Sequence, residues 1–248
     1  MSDFEIEDVI EKVRKNRKIF TSEADLQLEV AFAIKELYDD VSVYREYVPD
    51  IEDLSHLSKK EKDELSNMHT DILVVTNDNE WIPIELKYKT RKIYYKDNKT
   101  GCVFNLKEHG AHDCGCYDYF KDIYRIEQIG KNFEQFCKGY TIFITNDPLY
   151  QNGPSSSKVN YVNFALGGKK AGINPPKKYK WKKGVPSKDR KLVLNFDGTY
   201  SFEWKEFFTF DREDKSINHK KTSLNALSFL ILVNKVEKGS LNCYFKSK

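Results

Sequence analysis

The sequence predicts an α/β fold whose elements follow the order helix, three strands, helix, strand. Apolar residues recur at helical spacing over residues 23–38 and again over 117–138. Two β-rich segments flank a turn-like link at 77–80, and TIFIT at 141–145 is typical of a strand buried on both faces. The 248 residues, 40% hydrophobic, suffice for one large domain over 1–248.

The first helix and strand have distinct local signals. Ser22 is the expected N-cap of the helix at 23–38, because its hydroxyl can accept a free backbone N–H. Apolar and polar residues alternate over 41–48, which predicts a strand. The charged segment 49–68 is expected to be partly helical and mostly solvated.

A β-hairpin is predicted next, from TDILVVT at 70–76 and WIPIELKYK at 81–89. Every residue of the link Asn77-Asp78-Asn79-Glu80 favours a turn. Pro83 lies inside the second strand, and because proline cannot donate to a ladder we expect it at an edge or a bulge.

The remaining elements are predicted to pack on a core at about 21–147. The helix at 117–138 is expected to stop at Gly139, and LVLNF and YSFEWKEF flank Asp197-Gly198, a signal for a type I′ hairpin. A broad apolar face over 223–236 predicts a final helix. The basic segment, the lysine-rich stretch at 167–191, would occupy about 148–248 together with this hairpin and this helix.

Acids and a lysine concentrate in the first hairpin. Asp71 opens one strand, and Glu85 and Lys87 lie two residues apart on the next, so these two project from the same face. Neighbouring carboxylates repel each other unless a cation lies between them, and hard oxygen ligands suit Mg²⁺ or Mn²⁺. A phosphodiester would complete the coordination, and Lys87 would orient water or stabilise developing charge.

A surface hairpin with a cross-strand ion pair is the alternative interpretation of these residues. Such a pair contributes about 0.2–1 kcal/mol. It accounts for Lys87 but not for Glu85 within IPIEL, where an uncompensated carboxylate is costly.

The segments TDILVV and WIPIELKYK resemble the core motif of the PD-(D/E)XK nucleases, with Thr70 at the position of the family's proline. The resemblance covers about 21–147 and implies a restriction-endonuclease-like core, α-β-β-β-α-β. It implies a magnesium-dependent deoxyribonuclease that hydrolyses DNA phosphodiester bonds, in defence, mobile-element or repair processes. Glu23 best matches the acidic ligand of the family's first helix, with Glu46 and Glu29 as competitors.

The resemblance also implies roles for individual residues. Catalytic residues would be Glu23, Asp71, Glu85 and Lys87. The metal, Mg²⁺ or Mn²⁺, would be held by Glu23, Asp71, Glu85 and the Leu86 carbonyl. Related nucleases line the site with polar residues of the second helix, here Asp122, Arg125 and Gln128, although an ordinary solvated helix face explains them equally well.

Asn146 and Asp147 follow the predicted strand at 141–145. They would either face DNA or begin a turn before Pro148, and we favour the turn.

Lysines concentrate between residues 167 and 191, in a chain whose net charge is only +3. Closely spaced ammonium groups gain from counterion release on nucleic acid, and Tyr179 and Trp181 could stack on unpaired bases. A solvated loop is the alternative. The predicted nucleic-acid-binding residues are Lys177, Lys178, Lys180, Trp181, Lys182 and Lys183.

Soft metal ligands also cluster in this chain. Their spacing is poor for a zinc site, so we expect no metal there. The residues are Cys102, His109, His112, Cys114 and Cys116. An odd total of five cysteines, without a secretory signal, favours reduced thiols.

Compartment and partners follow from what the sequence lacks. No apolar run approaches the roughly 20 residues of a membrane-spanning helix, and the N-terminus lacks a signal-peptide core, so we expect a cytoplasmic protein away from membranes. The expected partner is nucleic acid, with a homodimer left open. Two other hypotheses are a non-catalytic nucleic-acid-binding module and a protein-interaction or toxin-neutralising protein that uses segment 49–68.

Overall fold

A computed structural model describes residues 4–50, 59, 69–97, 100–187, 190–210 and 228–241. The helices are α1 (Ile6–Asn16), α2 (Glu23–Leu37), α3 (His112–Asn132) and α4 (Pro148–Asn152), with 3₁₀ turns at Val162–Phe164, Gly168–Lys170 and Lys238–Ser240. The strands are β1 (Ser42–Tyr47), β2 (Thr70–Val75), β3 (Trp81–Lys89), β4 (Ile93–Lys96), β5 (Val103–Leu106), β6 (Lys138–Thr145), β7 (Lys178–Tyr179), β8 (Leu194–Asn195), β9 (Trp204–Thr209) and β10 (Ser228–Glu237).

Six strands form one mixed sheet in the order β1-β2-β3-β6-β10-β9. The β3–β6 pair is parallel and the others are antiparallel, while β4–β5 and β7–β8 form two small separate sheets. The protein is therefore α/β, as the sequence predicts.

The sheet separates two apolar layers. Ile84, Leu86 and Tyr88 of β3 point into the layer that also contains α1 and α2. Side chains alternate along a strand, so Glu85 and Lys87 point into the layer of α3. Residues 119–126 of α3 and Phe143 of β6 bury apolar side chains in that second layer, at about 1.5–3 kcal/mol for each large side chain.

Several predicted elements are confirmed. The Ser22 hydroxyl accepts the backbone N–H of Asp25 (3.1 Å) and caps α2. The predicted hairpin is β2–β3, with Ile72 opposite Ile84 and Val75 opposite Trp81. The strand predicted at 141–145 is β6, which extends back to Lys138.

Pro83 lies beside a bulge, as expected. Trp81 bridges Phe136, whereas Ile84 pairs with Tyr140, so β6 contains one extra residue over this stretch. Trp81 exchanges backbone hydrogen bonds with the β6 side, and alternate residues face the same edge, so the Pro83 nitrogen faces the bulge. The missing N–H therefore breaks no regular ladder.

The predicted C-terminal helix is wrong where the structure describes it. Residues 228–236 belong to β10, between β6 and β9, and 223–227 lie outside the described residues. Phe229 and Ile231 enter one apolar layer, and Leu232 and Val236 enter the other. A segment buried on both faces is apolar throughout, so its periodicity does not distinguish strand from helix.

The predicted hairpin at Asp197-Gly198 is also wrong. β8 pairs with β7, and β9 pairs with β10. The backbone N–H groups of Asp197 and Gly198 donate to the buried Glu127 carboxylate (3.1 and 2.9 Å), as does the Tyr200 hydroxyl (2.8 Å). A tertiary contact with α3 overrides the local turn signal.

The second long helix is α3, which runs His112–Asn132 rather than over 117–138. Gly139 lies in β6, where a Cβ would collide with Ile126 and crowd Pro83. This glycine permits close approach of β6 to α3 and β3 and does not end the helix. The helices α1 and α4 and the β4–β5 pair have no counterpart in the sequence prediction.

Two further sequence expectations concern the charged segment 49–68 and membrane-spanning helices. Of the charged segment 49–68, the structure describes only Pro49, Asp50 and Lys59, so its predicted helix lies outside the described residues. Among the described helices, none combines the length and apolar character that crossing a membrane requires.

Candidate active site

The candidate site lies where β2 and β3 separate. Their ladder stops at Ile72 and Ile84, so beyond it the β2-facing edge of β3 is open. Two carboxylates accept the N–H groups exposed there: Asp71 Oδ2 accepts from Leu86 (2.6 Å) and Glu23 Oε2 from Tyr88 (2.8 Å). The start of α2 and the start of β2 thus meet along the same edge of β3.

Glu85 is the most deeply buried acid of the site. Its exposed fraction is 1%, and neither carboxylate oxygen has a hydrogen-bond partner among the described residues. Arg125 of α3 approaches Glu85 Oε2 with Nη1 at 3.6 Å. An ion pair at this distance compensates the burial of a carboxylate only partly.

Lys87 of β3 connects acids of two helices, α2 and α3. Its Nζ lies 3.1 Å from Asp122 Oδ2 on α3 and 3.7 Å from Glu23 Oε1 on α2. The same ammonium donates to the Leu86 carbonyl (3.1 Å). Asp122 also pairs with Arg125 Nη1 (3.2 Å).

We call these residues the acid cluster: Glu23, Asp71, Glu85, Asp122, Lys87 and Arg125. Its four carboxylates face two cations, which leaves two negative charges uncompensated within the described part of the chain when all groups are ionised. Such an excess is relieved by protonation or by binding a cation.

The pKa values follow from this burial and crowding. Burial raises the pKa of Glu85 well above its ordinary value, and the charges of Asp122 and Asp71 raise it further. Burial raises the pKa of Asp71 to about 6, although Lys87 and the Leu86 N–H oppose the shift. Burial raises the pKa of Asp122 as well.

Lys87 responds in the opposite sense to its surroundings. Burial alone would lower its pKa, but the neighbouring carboxylates, Asp122 first, raise the pKa above the ordinary lysine value. Lys87 is therefore an ammonium ion at neutral pH, and it acts as a positive charge rather than as a base.

Gln27 supports the site, and the sequence interpretation missed it. Its buried Nε2 donates to the Asp71 carbonyl (2.5 Å) and to Glu46 Oε1 (2.8 Å), and its Oε1 accepts from Arg45 (2.6 Å). Gln27 thereby fixes the start of β2 against α2. The available signal was an amide four residues after Glu23 on the same face of the helix.

The structure distinguishes the three competitors for the fourth acid. Glu23 contacts both Lys87 and the backbone of Tyr88. Glu46 pairs with Gln27, and Glu29 lies near Arg17 (3.8 Å), the residue that follows α1. Glu23 is therefore the acid that joins the cluster.

The helix α3 brings two of its three predicted residues to the site. Asp122 is 2% exposed, so a solvated helix face does not describe it, and Arg125 contacts both Asp122 and Glu85. Gln128 lies a turn further along, where its carbonyl accepts from the Asn132 side chain (2.8 Å). Among the residues that the structure describes, no polar contact connects the Gln128 side chain to the acid cluster.

The residues after β6 form the favoured turn. Asp147 caps α4 by accepting the Leu149 N–H (3.1 Å) and pairs with Arg91 (3.3 Å). Asn146 Oδ1 accepts the backbone N–H of Arg91 (2.6 Å). Both side chains hold the loop that follows β3.

The basic segment separates its lysines from its aromatic residues. Tyr179 and Trp181 are buried, and Trp181 stacks on Tyr117 (5.4 Å between centroids) and donates to the Arg190 carbonyl. The expectation that Tyr179 and Trp181 stack on bases is therefore wrong, because their rings belong to the core. The exposed lysines are Lys177, Lys178, Lys180, Lys182 and Lys183.

The cysteine and histidine residues do not converge. The His109 ring accepts the Thr90 N–H (2.9 Å), Cys102 is exposed, and Cys116 lies 3.9 Å from His112. Across the residues that the structure describes, no three His, Cys, Asp or Glu side chains are arranged to hold a metal ion, in this region or in the acid cluster.

Comparisons with protein-family models, with curated proteins and with solved structures give no match for this chain. What the acid cluster does is therefore argued from its own residues.

Proposed function

We propose that this protein is a metal-dependent nuclease that hydrolyses phosphodiester bonds in DNA. The observation that carries the proposal is the convergence of Glu23, Asp71, Glu85 and Lys87 where β2 and β3 separate. Apart from the small β4–β5 pair inserted between β3 and α3, the element order α2, β1, β2, β3, α3, β6, with β3 parallel to β6, supports a restriction-endonuclease-like core.

The acid cluster offers the kind of ligands that a divalent cation takes, although without the ion no three of its acidic side chains are arranged to hold one. Glu85 has two buried oxygens without a hydrogen bond, and the cluster carries an excess of two negative charges among the described residues. Hard carboxylate and carbonyl oxygens are the donors that Mg²⁺ and Mn²⁺ prefer. Glu23, Asp71, Glu85 and the Leu86 carbonyl would hold the ion.

When bound, Mg²⁺ supplies Lewis acidity and lowers the pKa of water. Glu23 and Asp71 each accept a backbone N–H through one carboxylate oxygen, which leaves the second oxygen of each as a donor that the ion would take, and the ion would compete with Lys87 for the Leu86 carbonyl.

Lys87 supplies positive charge beside the scissile phosphate. It is held by Asp122 and Glu23 and remains protonated, so it stabilises negative charge that develops on phosphate oxygens. Water activation is then assigned to the carboxylates and the cation. Removing a comparable electrostatic donor typically costs about 10²–10³ in rate.

Arg125 is placed to assist phosphate binding. Its Nε is buried without a hydrogen-bond partner in the described part of the chain, while Nη1 contacts Glu85 and Asp122. With a cation held by Glu85, the Arg125 guanidinium would be able to bind phosphate oxygens through its planar donors.

The lysines provide a path for the nucleic acid toward this site. Lys178, Lys180 and Lys182 alternate outward while Tyr179 and Trp181 anchor the segment in the core. Arg190, just beyond, pairs with Asp118 (2.7 Å), one helical turn before Asp122. Clustered ammonium groups on this side favour a polyanion through counterion release.

The test is to incubate the protein with linear, circular, single-stranded and branched DNA and with RNA, in Mg²⁺, Mn²⁺ or chelator. We expect cleavage of at least one DNA substrate in Mg²⁺ or Mn²⁺ and none in chelator. Absence of cleavage across the panel, or cleavage unaffected by chelator, would reject the proposal.

A non-catalytic nucleic-acid-binding module is the second candidate. It is favoured by the pairing of the acids with Lys87 and Arg125, because these cations already compensate part of the negative charge that a metal ion would otherwise neutralise. Binding of DNA in the same panel, without cleavage under any metal condition, would support it.

A further inference from the structure

A groove lies on the sheet face opposite the acid cluster. It encloses about 580 Å³ between α1 and the strands β9 and β10. Its floor is apolar, and this volume is in the range of sites that take small organic ligands. The floor residues are Ile10, Tyr140, Phe207, Ile231 and Val233.

The rim of the groove is acidic. Five glutamates line it, against three cations, and two of these cations are occupied: Arg14 pairs with Glu11, and Lys235 pairs with Glu237 (2.8 Å). No ion pair engages Glu7, Glu203 or Glu206 within the described residues. The five are Glu5, Glu7, Glu11, Glu203 and Glu206.

A buried hydroxyl at the floor is an independent sign of a ligand. Tyr140 is 1% exposed, lines the groove, and its hydroxyl has no hydrogen-bond partner among the described residues. Unsatisfied buried polar groups are rare in folded proteins. Burial first, and the charges of Glu5 and Glu7 next, raise the pKa of this phenol, so it stays neutral and can accept a hydrogen bond from a cation.

We propose that this groove binds a linear aliphatic polyamine. The methylene chain packs on the apolar floor, the terminal ammonium groups pair with rim carboxylates, and one ammonium donates to the Tyr140 hydroxyl. An anion is repelled by the rim. An inorganic divalent cation gains nothing from the apolar floor, whereas an alkyl chain with separated charges matches both parts.

The polyamine site is separate from the proposed nuclease site. Tyr140 pairs with Ile84 and faces the α1 layer, whereas Glu85, the next residue of β3, faces α3. The inference therefore stands or falls independently of cleavage.

The test is calorimetric titration of spermidine into the full-length protein at low ionic strength. We expect saturable binding of one spermidine. Tyr140→Phe keeps the ring and removes the hydroxyl, and it should weaken binding about tenfold. The double variant Glu7→Gln/Glu203→Gln should weaken it roughly three- to tenfold.

Two control variants locate the binding. Asp8→Asn changes an exposed acid of α1 outside the groove, and Glu85→Gln changes the acid cluster; both should bind spermidine like the parent. Unfolding curves of each variant confirm that the fold is retained. The proposal is overturned by no saturable binding, by equal weakening in Asp8→Asn, or by loss of binding in Glu85→Gln.

Discussion

Replacing Asp71 with asparagine should change stability and metal binding in opposite directions. Burial raises the pKa of Asp71 from 3.8 to about 6. One pKa unit corresponds to about 1.4 kcal/mol, so ionising this carboxyl in the folded protein costs about 3 kcal/mol. The stabilising contribution of the protonated group is complete below pH 3.8 and is lost as pH rises through about 6.

Urea unfolding in chelator, from pH 4 to pH 8, measures this cost. Between pH 4 and pH 7, the free energy of unfolding should fall by up to about 3 kcal/mol more in the parent than in Asp71→Asn. Burial also raises the pKa of Glu85, so Asp71→Asn keeps the pH dependence that arises from Glu85. The change in unfolding free energy of Asp71→Asn/Glu85→Gln should therefore differ from the sum of the two single changes. The matched control, Asp8→Asn on α1, should follow the parent.

Calorimetry with Mn²⁺ provides the second half of the test. The variant lacks one anionic ligand, so its Mn²⁺ affinity should fall although its metal-free fold is more stable at pH 7. Identical pH dependence in parent and variant, or unchanged Mn²⁺ affinity, would refute the reasoning about Asp71.

Three further predictions address other parts of the molecule. Neutralising four exposed lysines of the basic segment, Lys177, Lys178, Lys182 and Lys183, should weaken DNA binding and make it depend less on salt, with little effect on unfolding. Fluorescence titration at several salt concentrations measures this. Glu127→Gln should destabilise the fold by about 1–3 kcal/mol in urea unfolding, because the buried carboxylate accepts three hydrogen bonds, whereas the exposed Glu134→Gln should not. Elemental analysis should find no stoichiometric zinc or iron; one equivalent, lost with stability in Cys114→Ser/Cys116→Ser, would contradict this expectation.

The sequence predicted the elements whose signals are local. Ser22 marks the start of α2, the link at 77–80 defines the β2–β3 hairpin, and the β-branched apolar run identifies β6. The register of that hairpin brings Asp71 and Glu85 together where the β2–β3 ladder ends. Their convergence with Lys87 required only a strand period of two and antiparallel pairing.

The elements that were missed depend on distant contacts. β10 is apolar on both faces because its side chains enter the apolar layers on both sides of the sheet, and such a continuous apolar run imitates a helical pattern. The turn at Asp197-Gly198 is shaped by Glu127, about 70 residues earlier in the chain. Trp181 resembles a base-stacking residue in sequence, yet its partner Tyr117 places it in the core.

Conflict between burial and charge is what distinguishes the acid cluster from an ordinary core. Glu85 lies in an apolar strand, with both oxygens lacking hydrogen bonds among the described residues. Such a group destabilises the metal-free protein, and a buried carboxyl with a strongly raised pKa marks a candidate functional site. Binding a cation there would recover the lost free energy through mass action.

The central claim is that the acid cluster cleaves DNA. The most direct test is to measure single-turnover cleavage in Mg²⁺ by three proteins: the parent, Glu85→Gln and Lys87→Ala. The substrate is one that the parent cuts. Both variants should retain the fold and DNA binding but lose at least about 10²-fold in rate. Mn²⁺ affinity should fall in Glu85→Gln and be equal or slightly higher in Lys87→Ala, because that change removes a repulsive cation. Cleavage by both variants at the parent's rate would contradict the account.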